Sequence, residues 1–220
     1  MRTVLAILAA TVARAIVVLV HILTGVRAEW RGCEPGSTQR IYFANHTSHP
    51  DSALLFAALP PLARRRLRPV AAADYWLRGP LRRWLIQSVF RGVLIDRRRS
   101  DDRADPLAIM IEALDAGDSL VLFPEGTRDS TDAPLLDFKR GIHRLAIARR
   151  HIELVPVWLE NAGRVLPKGE WLPLPLLCTV RFGEPLTVRR DEPEPAFLSR
   201  ARDALMTLAP PRPADALVEQ

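Results

Sequence analysis

The stretch that decides the fold class is residues 105–123, which read DPLAIMIEALDAGDSLVLF. Apolar residues recur at the spacing of one helix face from Asp105 to Ala116, and Gly117 is a residue type that commonly ends a helix. The following Ser119–Phe123 is a short apolar run, typical of a strand that is buried on both faces. A helix that leads directly into a buried strand indicates an α/β domain.

The same alternation of helical and extended patterns continues on both sides of this stretch. On its N-terminal side we predict strands at 39–44, 68–73 and 89–95 and helices at 51–59 and 74–88. On its C-terminal side we predict helices at 139–150 and 195–208 and strands at 153–159 and 177–182. The fold class predicted from this order is α/β, with a mixed sheet flanked by helices.

The first thirty residues are the most apolar part of the chain and raise the question of membrane contact. Val4–Val26 is interrupted by Arg14 and His21, so it lacks the long uncharged run of a typical spanning helix. At helical spacing the polar residues fall on one side, a pattern that favours a helix lying in the bilayer interface. A buried core helix, a spanning helix and a signal peptide are the alternatives.

The rest of the chain divides at turn-rich and proline-rich segments. We predict a membrane-associating helix at 1–30, a main domain at 31–190, and a proline-rich segment with one helix at 191–220. The main domain begins near the turn-rich residues 32–38. The 220 residues suffice for one sizeable domain with its own core.

Composition and charge narrow the class of partner. Apolar residues make up 48% of the chain and charged residues 25%, which excludes a disordered tail. The net charge of +6 favours an anionic partner, which means phosphate groups, lipid headgroups or nucleic acid. Cys33 and Cys178 do not have the spacing of a disulfide framework or a thiolate zinc site, and this fits a reducing compartment.

The most informative motif is residues 45–51, which read NHTSHPD. His46 follows a predicted strand, and Asp51 lies close enough in the chain to fold back onto it as an imidazole–carboxylate pair. Such a carboxylate fixes the imidazole tautomer and stabilises the imidazolium that forms when the histidine takes a proton. Ser48 is not in a GxSxG elbow, so a serine-hydrolase nucleophile is not favoured.

A metal site is the competing interpretation of this motif, because His46, His49 and Asp51 are all ligand types. Their spacing matches neither HExxH nor the usual zinc patterns, and no further cluster of ligand types follows in the sequence. His143 and His151 stand apart, and we expect them on the surface of a helix. We therefore predict no metal.

Two further motifs follow predicted strands and carry groups that bind anions. Residues 123–128 read FPEGTR and place Glu125 and Arg128 in one tight turn. Arginine binds phosphate through a planar bidentate fork, and loop amides add further donors. Glu125 can hold a substrate hydroxyl or orient Arg128. Arg97 ends another predicted strand and offers a second phosphate-binding cation.

Together these motifs resemble those of the glycerolipid acyltransferases of the lysophosphatidic acid acyltransferase type. The resemblance covers roughly residues 40–160 and rests on four motifs in the family's order, namely Asn45-His46…Asp51 (HxxxxD), Gly92–Arg97, Phe123–Arg128 and Leu154–Val157. Phe138–Gly141 is also similar to the segment that usually follows the third motif. The fold that the resemblance implies is glycerol-3-phosphate acyltransferase-like.

The resemblance also implies a role for each motif. His46 would be the general base that deprotonates the acceptor hydroxyl, and Asp51 would orient it. The oxygen would then attack the thioester of acyl-CoA or acyl carrier protein directly, converting a lysophospholipid such as 1-acyl-glycerol-3-phosphate to phosphatidic acid. The residues expected to bind the acceptor phosphate are Arg97, Glu125, Gly126, Thr127 and Arg128. Those expected to shape the acyl-donor site are Val155, Pro156 and Val157.

The family further implies that no metal or organic cofactor is needed and that the N-terminal helix docks on the cytoplasmic face of the membrane. One departure concerns the acceptor. Many members of that family carry a lysine after the first motif, where this chain reads Ala71-Ala72-Ala73-Asp74. If that lysine helps to hold phosphate, its absence leaves another lysophospholipid or a different acylated alcohol open as the acceptor.

Two other classes of function remain. A His-dependent lipid hydrolase would use His46 to activate water, and a binding module would use the arginine runs at 64–66 and 97–99. The aromatic-interleaved basic surface of many single-strand binders is missing, so we expect no nucleic-acid partner. The runs at 64–68 and 82–83 fit contacts with an anionic membrane surface better.

Overall fold

The computed structural model describes residues 2–48, 51–96, 105–127, 135–162 and 176–210. The strands, numbered in chain order, are β1 (Arg27–Trp30), β2 (Arg40–Ala44), β3 (Leu67–Ala72), β4 (Val93–Ile95), β5 (Ser119–Leu122), β6 (Glu153–Glu160) and β7 (Thr179–Phe182). They form one sheet in the order β1-β7-β6-β2-β5-β3-β4. The five strands from β6 to β4 are parallel, whereas β7 is antiparallel to β6 and parallel to β1. The predicted α/β fold with a mixed sheet is confirmed.

The helices in the described residues are α1 (Arg2–Thr24), α2 (Asp51–Ala58), α3 (Pro61–Arg64), α4 (Ala73–Trp76), α5 (Pro80–Trp84), α6 (Pro106–Asp115), α7 (Gly141–Ala148) and α8 (Glu194–Met206). A π-helical turn at Leu85–Val89 continues α5. Helix α6 begins as its sequence predicts, because the Asp105 carboxylate accepts a hydrogen bond from the Leu107 N–H at 3.1 Å.

Helices cover both faces of the sheet, and one apolar core lies on each side. On the side of α1 and α2, the buried side chains include Leu55 and Phe182. On the side of α6, α7 and α8, they include Leu145 and Phe197. Each of these four side chains is 0% exposed, and burying a side chain of this size contributes about 1.5–3 kcal/mol. The sheet is therefore held rigidly between two layers.

The parallel strands place their carboxyl ends at one edge of the sheet. Strand β2 ends at Ala44, directly before the NHTSHPD motif, and β5 ends at Leu122, directly before the FPEGTR motif. Strand β3 ends at Ala72, directly before α4. Open α/β sheets bind their ligands at this edge, so the fold brings the predicted motifs together where a site is expected.

Helix α1 turns one apolar face to the protein and another to solvent. Ala9, Val17 and Thr24 are buried, and the helix packs on α2 and the π-helical turn. The exposed face carries the large apolar residues Val4, Leu5, Ile7, Leu8, Val18, Leu19 and Ile22. The helix is long and apolar enough to cross a membrane by length and composition, and only 11% of its most apolar window is buried. A core helix would bury most of that surface, so the core interpretation of Val4–Val26 is not supported.

Three elements differ from the prediction. Strand β1 was missed because it has only four residues and directly follows the apolar N-terminal stretch. In the structure its Glu29 accepts a hydrogen bond from Arg181 of β7 at 3.1 Å. The predicted helix 74–88 is broken into α4, α5 and the π-helical turn, because Gly79 takes a φ of +142° and Pro80 starts a new helix. The strand predicted at 89–95 begins only at Val93, since the Phe90 N–H donates to Leu85 within the π-helical turn.

The expectation of surface histidines is wrong for His143. This residue of α7 is 6% exposed and faces α8, where its ring centroid lies 5.3 Å from that of Phe197. His151 is exposed and lies just after α7. The division into residues 1–30, 31–190 and 191–220 stays a prediction.

Candidate active site

The structure brings His46 and Asp51 into direct contact. The Nδ1 atom of His46 lies 2.9 Å from Oδ2 of Asp51. The same oxygen accepts hydrogen bonds from the backbone N–H of Thr47 at 2.8 Å and of Ser48 at 2.9 Å. The Ser48 hydroxyl donates to the other oxygen, Oδ1. Asp51 is 0% exposed, so these four donors are what hold its buried carboxylate in place.

This arrangement determines which nitrogen of His46 is available for chemistry. An ionised carboxylate only accepts hydrogen bonds, so the hydrogen lies on Nδ1 and the lone pair on Nε2. The imidazole ring stacks on Phe123, with 4.1 Å between the ring centroids and 22° between the planes. The side chain of His46 is 19% exposed and lines a cavity. Phe123 and Asp51 together fix the ring with Nε2 free to take a proton.

Glu125 connects the two loops that carry the motifs. Its carboxylate is 2% exposed; Oε1 accepts from the backbone N–H of His46 and Oε2 from that of Leu136, both at 2.9 Å. The turn around it is closed by the Gly126 N–H, which donates to the Phe123 carbonyl at 3.0 Å. Glu125 thus positions the backbone of His46, a contact that the sequence did not predict.

Asn45 links β2 to β6 directly before His46. Its side-chain amide donates to the carbonyl of Leu159 at 3.1 Å and accepts from the Leu159 N–H at 2.7 Å. Asn45 is 3% exposed, so both bonds are protected from water. The residue before His46 is therefore fixed to the sheet by its side chain as well as by its backbone.

The fourth motif lies inside the sheet. Val155, Pro156 and Val157 are buried residues of β6 and stand beside Tyr42, Phe43 and Ala44 of β2. The carbonyl of Pro156 accepts from the Gly183 N–H at 2.9 Å. These residues support the strand that presents His46, and none of the three lines the cavity.

The cavity next to His46 has a volume of about 660 Å³, within the range of small-molecule sites. Its polar wall residues are His46, Ser52, Asp74, Tyr75, Thr127 and Lys139. Its apolar wall residues include Val70, Ile95, Met110, Leu122 and Ile142. A cavity lined by both polar and apolar residues suits an amphipathic ligand better than a fully polar one.

Two of the predicted phosphate-binding residues, Arg97 and Arg128, lie outside the described residues, as does His49. Of the described residues near them in the sequence, Ile95 and Thr127 line the cavity. Within the described ranges, no group of three or more His, Cys, Asp or Glu residues could hold a metal ion. Burial raises the pKa of the Cys178 thiol to about 11, with the charges of Asp51 and Glu160 adding to the effect, so this thiol stays protonated at neutral pH.

The sequence missed several residues of this site. Ser48 was considered as a nucleophile, whereas it holds Asp51. Asp74, Tyr75, Trp76 and Lys139 also line the cavity. Sequence reasoning assigned none of them a role, although Asp74 ends the segment Ala71–Asp74, in which a lysine was expected, and Lys139 belongs to the segment Phe138–Gly141. Their contribution follows from the order of the strands, which a single sequence does not reveal.

Comparisons with known proteins agree with the motif resemblance and with the observed fold. Residues 18–160 match the protein family described as "Acyltransferase". The protein named 1-acyl-sn-glycerol-3-phosphate acyltransferase alpha from Ovis aries is 30% identical over 86% of this chain and 66% of its own length, and that from Homo sapiens is 30% identical over 86% of this chain and 67% of its own length. The 1-acyl-sn-glycerol-3-phosphate acyltransferase of Limnanthes alba is 31% identical over 76% of this chain and 57% of its own length.

This chain therefore spans about two thirds of the length of these animal relatives. Among solved structures, it is similar to the crystal structure of the 1-acyl-sn-glycerophosphate (LPA) acyltransferase PlsC from Thermotoga maritima. The TM-score is 0.69 at 21% identity, covering 95% of this chain and 80% of that chain. At this identity the likeness shows a shared fold.

Proposed function

Since this chain belongs to the acyltransferase family, we propose that it transfers a fatty-acyl chain from acyl-CoA or acyl carrier protein to the free hydroxyl of a lysophospholipid. The acceptor we propose first is 1-acyl-glycerol-3-phosphate, which gives phosphatidic acid. The observation that carries the proposal is the contact of His46 with the buried carboxylate of Asp51 at the wall of a cavity with polar and apolar lining residues.

The reaction follows from this geometry. Nε2 of His46 takes the proton of the acceptor hydroxyl as its oxygen attacks the thioester carbonyl. The charge of Asp51 stabilises the imidazolium that forms. A carbon–oxygen bond forms and the carbon–sulfur bond breaks, and the imidazolium returns the proton to the leaving thiolate. The reaction needs no metal and no organic cofactor.

The acceptor phosphate is assigned to Arg97, Arg128 and the Glu125–Thr127 turn. The position of the turn supports this assignment, because Gly126 and Thr127 line the cavity beside His46. Glu125 acts through the backbone of His46 and the turn that it closes. The acyl-donor site is shaped indirectly by three residues of β6 that lie next to β2, namely Val155, Pro156 and Val157.

Helix α1 is assigned to the membrane, on its cytoplasmic face, as an element separate from the main domain. The buried stripe of α1 packs on α2, and its other face exposes large apolar side chains. A helix with one face on protein and one apolar face outward suits the bilayer interface. Within the arginine run at 64–66, Arg64 makes a hydrogen bond inside the protein: its Nε donates to the Leu59 carbonyl at 2.8 Å.

A second candidate acceptor is favoured by Asp74. Asp74 lines the cavity and ends the segment Ala71–Asp74, in which many family members were expected to carry a lysine. A carboxylate opposes a second anionic group and attracts a cation. A lysophospholipid whose headgroup contains an amine is therefore the alternative to 1-acyl-glycerol-3-phosphate, with the same chemistry at His46.

The test measures transfer from labelled acyl-CoA and acyl carrier protein to a panel of lysophospholipids in detergent micelles. His46→Ala should lower the rate by at least about 10²-fold. His151→Ala removes an exposed histidine and serves as the matched control. Free fatty acid released without any lipid acceptor would identify a hydrolase. Normal transfer by His46→Ala would remove the base assignment.

A further inference from the structure

Lys139 lines the cavity and belongs to the segment Phe138–Gly141, to which the sequence analysis assigned no role. It lies directly before α7, and its backbone N–H donates to the Pro124 carbonyl at 2.8 Å. This bond attaches the segment before α7 to the turn that contains Glu125. Lys139 is one of only two lysines in a chain whose other cations are all arginine.

The side chain of Lys139 extends across Gly126. A Cβ placed on Gly126 would lie 3.2 Å from Cγ and 3.6 Å from Cε of Lys139. The ammonium nitrogen, one bond of about 1.5 Å beyond Cε, is therefore within about 5 Å of the same point. Gly126 has a φ of +73°, so glycine serves both the turn and the close approach of the lysine.

The ammonium group makes no hydrogen bond or ion pair with any described residue within the usual distances, in contrast to many of the arginines. Arg149 pairs with Asp115, Arg200 with Glu192 and Arg181 with Glu29 and Glu160. Lys139 is held by its backbone and its stem, while its charged end stays available at the cavity wall. A compact ammonium with three donors suits an anionic oxygen that arrives with a ligand.

We propose that Lys139 binds the anionic headgroup phosphate of the acceptor, as a cation supplied from the segment before α7. This inference rests on the proposed function for the identity of the ligand. It explains how the site holds phosphate although residue 74 is a carboxylate. Lys139 and Asp74 then supply opposite charges to the same cavity, and the lysine determines where the acceptor phosphate binds.

The test is a binding measurement that does not depend on turnover. Calorimetry in detergent micelles compares the affinities of a lysophosphatidic acid and of the monoacylglycerol with the same chain, which lacks the phosphate. Lys139→Met should weaken binding of the phosphate lipid about tenfold and leave the monoacylglycerol unchanged. Lys139→Arg should retain most of the affinity. Arg144→Met, an exposed cation one turn further along α7, is the matched control.

Each outcome decides the inference separately from the proposed function. Equal affinity of Lys139→Met and wild type for the phosphate lipid overturns the inference, whatever the turnover. Equal weakening of both lipids also overturns it, because the cavity itself would then have changed. If phosphate binding depends on Lys139 but wild type transfers no acyl chain, the inference stands and the proposed function fails.

Discussion

The Asp51→Asn variant separates the charge of Asp51 from its hydrogen bonds. Among the described residues, Oδ2 accepts from His46, Thr47 and Ser48, while Oδ1 accepts only from the Ser48 hydroxyl. An asparagine can place its amide oxygen at the position of Oδ2 and its NH₂ group toward Ser48, whose hydroxyl rotates to accept. The imidazole therefore keeps its tautomer and loses only the opposing charge.

The size of the effect follows from electrostatics. Two unit charges about 4 Å apart attract by about 4 kcal/mol at an effective dielectric constant of 20. A barrier raised by that amount slows the reaction about 10³-fold. Because the His46 side chain is 19% exposed, water screens part of the attraction, and we expect kcat to fall by about 10²–10³-fold. The free energy of unfolding should change by only about 1 kcal/mol, since the hydrogen bonds persist.

The assay measures kcat at saturating donor and acceptor, together with the thermal unfolding temperature. Asp118→Asn is the matched control, because Asp118 is also a buried carboxylate. Its Oδ2 atom lies 3.2 Å from Nη1 of Arg68. It lies at the amino end of β5, on the edge of the sheet opposite the cavity. A kcat for Asp51→Asn within about threefold of wild type would refute the reasoning. An equal loss in Asp118→Asn would attribute the effect to general destabilisation.

Asp74→Asn should raise the affinity for 1-acyl-glycerol-3-phosphate several-fold, because it removes an anionic group from the cavity wall; an unchanged KM for this acceptor would contradict it. Glu192→Gln should lower the free energy of unfolding by about 2–3 kcal/mol at pH 7, because hydrogen bonds from Arg200 lower the pKa of Glu192 to about 2. This difference should vanish as the pH falls from 4.5 toward 2 in thermal denaturation, and a constant difference would exclude the ion pair as its cause. Leu19→Asp, on the exposed face of α1, should weaken sedimentation with lipid vesicles without changing the unfolding temperature. Thr11→Asp, which adds the same charge at an exposed polar position of α1, is its control, and an equal loss in both variants would point to charge rather than apolar contact.

The features that the sequence predicted depend on residues close together in the chain. His46 and Asp51 are five positions apart, so a strand end followed by a helix start is enough to bring them into contact. The helix 105–116 and the strand 119–123 are likewise local patterns, and the structure has both with small shifts at their ends.

The features that the sequence missed depend on the order of strands. Glu125 contacts the backbone of His46 across 79 residues, because β5 lies next to β2 in the sheet. Strand β1 exists because β7 offers it a partner, and its charged residue Glu29 is matched by Arg181. The hydrogen bond from the Lys139 N–H to the Pro124 carbonyl holds Lys139 beside the cavity. The residue pattern of α7 could not predict this bond.

The two hydrogen bonds between Asn45 and Leu159 allow the chain to leave the sheet after β2 without leaving the backbone groups of Leu159 unpaired. A side-chain amide has the same donor and acceptor as a peptide group, so Asn45 imitates one more residue of β2 while its backbone is free to turn away. Aspartate offers no donor for the Leu159 carbonyl, and alanine would leave both groups of Leu159 unpaired. Asparagine at position 45 therefore ends the strand with its hydrogen bonds satisfied, so that His46 can lie outside the sheet.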